Sequence, residues 1–351
     1  AASDVYKRQQ WMSVPASAAD RLEGFIDRRM KILEHSRHSN KLKLGHLRGN
    51  RFRIVVRETE PEPAARAARI LDVIVRRGVP NYFGEQRFGV RLNGHLCGEA
   101  LVRRDYEGFC RQLVGSESEL EGDERLRRAR RLYDEGRLEE AYEAMPVRQR
   151  AEKKCLHALL RFKDFERACN AVPKRMRQMF ASAFQSEMFN RIAEGRIHAL
   201  DSIEAGDLAY LHRNGAVFRV EDLEEEQRRC RAFEISASAP LFGTHSMIAE
   251  GRPGEIERSV LAETGLTEVD FGVGGGIRLK GHRRPLRVPA REVALERIDE
   301  RSFAVTFALP AGSFATSMMR EILKAEPGED PGDRPRHMPH PEDRGSVTDV
   351  T

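Results

Sequence analysis

Eleven consecutive residues, Val79-Pro80-Asn81-Tyr82-Phe83-Gly84-Glu85-Gln86-Arg87-Phe88-Gly89, fit neither a strand nor a helix. Proline stops a helix that would run into them, and the two glycines allow turns or close approaches that a side chain would block. Three aromatic rings sit in the same stretch, so it reads as an ordered loop on which other elements converge. Rings interleaved with two amides, Asn81 and Gln86, and one guanidinium, Arg87, suit a nucleobase. The rings stack on it, the amides read its edge, and the arginine takes a phosphate. Composition alone is also met by a plainer loop, hydrophobic and held by a structural asparagine.

The rest of the chain sets bounds. Its 351 residues are enough for two domains and a sizeable core. Sixty Lys+Arg against 55 Asp+Glu leave a net charge of +5. So mild an excess does not demand nucleic acid, but it leaves room for a local basic face. Cys97, Cys110, Cys155, Cys169 and Cys230 are widely spaced and odd in number. That argues against a disulfide framework or a zinc site and for a reducing compartment, so the expectation is a cytoplasmic protein without metal. No apolar run approaches the roughly 18 residues of a membrane span, so no membrane partner is expected.

In chain order, Leu22, Phe25, Ile26, Met30 and Leu33 recur at near-helical intervals. A basic piece follows, with Lys41, Lys43 and Arg48, which reads either as a phosphate path or as a solvated rim. Arg51 to Arg57 predicts a strand, and Pro61 to Arg77 a helix that Gly78 ends. Gly98 to Val114 predicts one amphipathic helix. A shift to Ser, Gly and acids at 115–123 marks a domain boundary, and 124–197 is helical throughout. Short β segments near Leu208 and Val217, a helix from Glu221 to Arg231 and another within Gly251 to Gly265 come next. Gly272 to Gly276 reads as a mobile turn. After that turn, Arg278, Lys280, His282, Arg283, Arg284 and Arg287 form a second basic cluster that could touch RNA. Ser302 to Leu309 alternates as a strand, and Ser313 is a candidate N-cap for a helix to Lys324, with Phe314 at the corner. Residues 325–351, rich in proline and charge, read as a disordered tail.

The string Asn81 to Gly89 resembles the hallmark of the tRNA pseudouridine synthase D family. Lys41-Leu42-Lys43-Leu44-Gly45-His46-Leu47-Arg48-Gly49-Asn50-Arg51-Phe52 and Leu309-Pro310-Ala311-Gly312-Ser313-Phe314-Ala315-Thr316-Ser317 are similar to two further family strings, in matching order. The resemblance covers most of Gln10 to about Lys324, and Ser236 to Gly243, though it departs somewhat in sequence, holds the place of a family loop of small residues and proline. It implies an α+β fold: a pseudouridine-synthase catalytic domain on a bent antiparallel sheet, 10–112 plus 288–324, interrupted by an α-rich insertion domain, 113–287. It implies an isomerase acting on tRNA at uridine thirteen of the D-arm, with no cofactor, here expected as a monomer. By carry-over Asn81 contacts the target nucleotide, Phe314 lies against the base and Phe83 supports the pocket wall. The candidates for RNA contact are Arg87, Lys41, Lys43, Arg48, Arg283 and Arg284.

The family nucleophile is an aspartate in a Gly-x-Lys-Asp context shortly before a Gln-Trp pair. Gln10-Trp11 resembles that pair, and the family spacing falls on Ser3. Asp4 is one residue out and lacks the glycine and lysine neighbours. Residues 1–9 resemble instead the translation of a transposase adapter used for sequencing libraries. The expectation is a chain shortened at its N-terminus, its true nucleophile upstream of Gln10, Asp4 inert and turnover slight. Two rival readings are a non-catalytic tRNA-binding module or RNA chaperone on the same scaffold, and a protein-interaction scaffold using the helical insertion.

Overall fold

The computed structural model describes residues 9–324 other than 23, 29, 44 and 273–275. Asp4, the centre of the glycine turn and the tail 325–351 lie outside the described residues. Two units are distinguished, 1–50 and 51–351. In the first, a 3-10 turn at Ala16–Arg21 precedes irregular backbone. The near-helical spacing from Leu22 to Leu33 makes no helix: Ile26 is 96% exposed and Leu33 63%. A short amphipathic segment with nothing to cover lacks the packing that offsets helix nucleation.

The second unit takes up the chain within β1 (Gly49–Val56). Helix α1 (Pro63–Arg77) begins on proline and stops at Gly78, whose φ of 90° glycine adopts without strain. Strand β2 (Val79–Pro80) leads into the key loop. The single helix expected from Gly98 to Val114 is two, α2 (Gly94–Arg103) and α3 (Tyr106–Val114). Arg104 turns left-handed between them at φ 58°, and the Asp105 carboxylate caps α3 by accepting from the Gly108 amide. The predicted helical run follows as α4 (Glu124–Asp134), α5 (Leu138–Ala144), α6 (Arg150–Phe162), α7 (Phe165–Ala171) and α8 (Lys174–Gly195). Then come β3 (Leu208–Leu211), β4 (Val217–Arg219), α9 (Leu223–Arg231), β5 (Ile235–Leu241) and α10 (Gly251–Glu263). Last are β6 (His282–Pro285), β7 (Arg287–Val288), β8 (Arg291–Asp299), β9 (Ser302–Pro310) and α11 (Ala315–Leu323).

These strands form sheets in the orders β1-β9-β8 and β4-β3-β5-β6, with β2 paired to β7. The buried apolar side chains form two clusters. One joins α1, β9 and α11 through residues such as Leu71, Phe307 and Met318. The other runs from α2 and α3 through α4–α8 to the four-stranded sheet. Residues 94–112 therefore share a core with the helices that follow them.

Two expectations are corrected here. Ser236 to Gly243 is mostly β5, the inner strand buried at every position but its last. Its serines and alanines are small because α8 packs on it, with Gln185 Nε2 donating to Phe242 O at 2.5 Å. The basic run after the glycine turn, expected at the surface, supplies β6 and β7, and Arg287 is fully buried. Among the described residues, no helix is long and apolar enough to cross a membrane.

At the end of β3, His212 Nε2 lies 2.9 Å from Ser236 Oγ. Burial, reinforced by the charges of Arg287 and Arg291, lowers its pKa to about 4. The unfolded chain thus takes up this proton at a higher pH than the folded one, and stability falls as pH drops from about 6.5 through 4. The loss in unfolding midpoint across that window should be shallower in His212→Gln than in the parent, as acid titration followed by circular dichroism would measure.

Candidate active site

The key loop is tied to a segment two hundred residues away. Val79 pairs with Val288 and Pro80 with Arg287, and the Asn81 amide extends this ladder by donating to Leu286 O at 2.9 Å. The loop therefore leaves the ladder beside β6. There Arg284 Nη2 donates to Asn81 Oδ1 at 2.6 Å, and its Nε to Asn81 O at 3.2 Å. The same Nη2 reaches Gly312 O at 3.0 Å, on the turn between β9 and α11. The guanidinium lies 4.2 Å from the Phe83 ring centroid and 5.5 Å from that of Phe189 on α8.

Phe83 is fixed from three sides. Its amide donates to Asn190 Oδ1 at 2.8 Å, and its carbonyl accepts from Asn190 Nδ2 at 3.0 Å, a two-point clamp from α8. Its ring meets Phe189 edge-on at 5.7 Å and Phe314 at 5.9 Å. Gly84 permits that last contact: a Cβ there would lie 2.7 Å from Thr316 Oγ1 and 3.6 Å from the Phe314 ring. Ser317 Oγ donates to Tyr82 O at 3.2 Å, and Arg320 pairs with Glu85 at 2.9 Å, which pins the corner to the loop. Phe314 itself, not Ser313, occupies the N-cap of α11, so the ring stands at the corner with no side-chain cap.

The structure thus brings Asn81, Phe83, Phe314, Arg284 and Arg87 together and corrects the role of two candidates. Asn81 is 4% exposed. Its amide, expected to face the nucleotide, is taken up by Arg284 and by Pro285 O, to which Nδ2 donates at 2.8 Å. Arg283, a candidate for RNA contact, has a side chain that is 2% exposed and pairs with the equally buried Glu257 at 2.7 Å. Successive side chains of a strand face opposite ways, so Arg284 enters the site while its neighbour turns into the core. Lys41, Lys43 and Arg48 are exposed in the first unit and hold no carboxylate among the described residues. Sequence reasoning missed Asn190, Phe189 and Gly312 as builders of the site.

Arg87 crosses from the loop to α8, donating to Ser186 Oγ at 3.2 Å and to Ser182 Oγ. Its guanidinium carbon is 5.7 Å from the Phe83 ring centroid. Burial lowers the pKa of both arginines, that of Arg284 to about 10, so each remains a cation at neutral pH. Neither pairs with a carboxylate among the described residues, and Arg284 Nη1 is uncommitted. A half-buried cation held beside aromatic rings, with no carboxylate partner among the described residues, attracts anionic or electron-rich groups.

An α+β scaffold with antiparallel sheets, and an aromatic and guanidinium cluster where distant segments meet, is the build of a pseudouridine synthase. The family model described as tRNA pseudouridine synthase D (TruD) matches residues 8–322, and the chain belongs to this family of isomerases. It is 43% identical over 317 residues to the tRNA pseudouridine synthase D of Geobacter sulfurreducens, covering 90% of this chain and 77% of that one. The corresponding Geotalea daltonii protein is 41% identical over 318 residues, covering 90% and 80%. A crystal structure from Methanosarcina mazei under the TruD name superposes with a TM-score of 0.76 at 29% identity, over 88% of this chain and 76% of that one.

Proposed function

We propose that this site isomerises uridine to pseudouridine in tRNA, at uridine thirteen of the D-arm. The C1′–N1 bond breaks, the uracil turns, and C1′ bonds to C5. The proton lost from C5 is balanced by one gained at N1, so no atoms are added. Lifting the base from its stack costs roughly a few kcal/mol, and each stacked ring returns about 1–3 kcal/mol. Phe83 and Phe314 supply such rings, and Arg284 faces the charge that develops on the detached base. Asn81 holds Arg284 in place. The single observation that carries this reading is the convergence of loop, β6 and β9–α11 corner on Phe83. We propose a catalytic domain of 10–112 with 288–324, interrupted by 113–287: the β2–β7 pairing supports a return to that domain at 288, while the core that 94–112 share with the helices after them argues for an earlier first boundary.

Asp4 has no role in this reading, because its neighbours do not match Gly-x-Lys-Asp. The 351-residue chain should bind tRNA and form product only at background rate. Replacing residues 1–9 with a relative's segment that carries Gly-x-Lys-Asp at the family spacing should yield pseudouridine, detected by chemical mapping of an unmodified transcript. Tight binding without product from that chimera would favour a non-catalytic binding module.

A further inference from the structure

A groove of about 890 Å³ lies between the start of α8 and the segment entering β6. Arg87, Arg175, Arg278, Lys280 and His282 line it, and among the described residues no Asp or Glu does. Arg175, Arg278 and Lys280 are exposed, and none of them pairs with a carboxylate among the described residues. Elsewhere arginines collect carboxylates: Arg131, Arg137 and Arg229 each hold two. Gathering unpaired cations in one cavity costs self-repulsion that a bound polyanion removes. The groove also has an apolar side, with Met176 and Met179, the latter 50% exposed. Thioether side chains adapt to flat faces better than rigid ones do. Its volume is within the range of sites that enclose a small organic ligand.

Arg87 belongs to both places, lining the groove and lying 5.7 Å from the Phe83 ring. A strand that delivers a base to Phe83 must therefore leave past Arg87. We propose that the groove seats the unpaired nucleotide next to the target uridine, its phosphate toward Arg175 and Lys280 and its base or sugar against Met176 and Met179. This rests on the RNA reading of the site. An acidic peptide would satisfy the charges, but it would not share a backbone with the group bound at Phe83.

The test is binding of an unmodified tRNA transcript and of a fully paired RNA hairpin, by fluorescence anisotropy from roughly 50 to 200 mM salt. Arg175→Ala and Lys280→Ala should each weaken tRNA binding about fivefold and reduce the slope of log K against log salt by about 0.7. Met179→Ala should weaken tRNA about fivefold with the slope unchanged, and leave hairpin binding at the parental level. All three side chains are exposed, and thermal melts check that the fold is intact. Parental affinity and slope in every variant would overturn the groove and leave the isomerase reading standing. Equal effects of Met179→Ala on tRNA and hairpin would also overturn the nucleotide seat. Absence of salt-dependent tRNA binding by the parent would overturn groove and isomerase reading together.

Discussion

Arg287→Ala should lower stability by roughly 4 kcal/mol, a drop in thermal midpoint of about 5 °C for a chain of this length. Arg287 Nη1 donates to Arg77 O at 2.6 Å, and Nη2 to Cys230 O at 2.5 Å. These carbonyls close the last turns of α1 and α9, where a cation also meets the helix dipole. Its Nε reaches Ser236 Oγ on β5 at 3.2 Å, and the guanidinium lies 4.2 Å from the Phe233 ring. One side chain thus ties two helix ends and a strand to β7. Alanine would leave Arg77 O without a donor at about 1–3 kcal/mol, reduce Cys230 O to its bond from the Phe233 amide, and leave a cavity besides. Against this, burial lowers the arginine's pKa, so some desolvation energy is recovered when the charge goes. Arg287→Met fills the space and removes the charge but satisfies neither carbonyl, so about half the loss should remain. Urea unfolding of both variants decides the matter. An Arg287→Met protein as stable as the parent would show that the helix ends gain nothing from this arginine.

The second large effect is on chemistry. Arg284→Met in the chimera that carries the family aspartate should slow product formation about 100–1000-fold while tRNA affinity changes less than tenfold. Methionine keeps bulk against Phe83, so packing survives while the charge and the three hydrogen bonds to Asn81 and Gly312 are lost. Arg284 is fixed by three hydrogen bonds to oxygens of Asn81 and Gly312, none of them a carboxylate oxygen, so its charge is held ready for a group that arrives with the substrate. Such preorganised charge acts most strongly where water is excluded. The readout is single-turnover rate against transcript concentration. A role confined to RNA capture would raise the half-saturating concentration and leave the plateau rate, and that result would sink the assignment. Arg284→Lys should recover little, since an ammonium in the place of Nη2 between Asn81 Oδ1 and Gly312 O has no second nitrogen for Asn81 O and no planar fork to lay over Phe83.

How much of this was legible follows from where the signals lie. Helices α4 and α6 announce themselves because each buries one face at a 3.6-residue period, whereas α8 is buried on nearly every side. Phe83 and Phe314 stand in unusual strings, so they could be named before any coordinates. β5 hid because a strand buried on both sides under a helix needs small residues, and Ser-Ala-Ser-Ala looks like a loop. The roles of Arg283 and Arg284 are indistinguishable in a basic run, and only the pleat of β6 separates them. Asn190 lies within the helical run 124–197, and nothing local tells that its amide serves a backbone 107 residues away.

The pairing of β2 with β7 bears on how the protein is made. Asn81 waits for Pro285, 204 residues further along the chain. At typical translation speeds that interval is roughly 10–40 s. Throughout it the loop leaves the ribosome without the partner that shapes it, while the helices between can already collapse on one another. A nascent chain therefore has no finished base site, and closing so long a loop makes its assembly one of the last and slowest steps of folding.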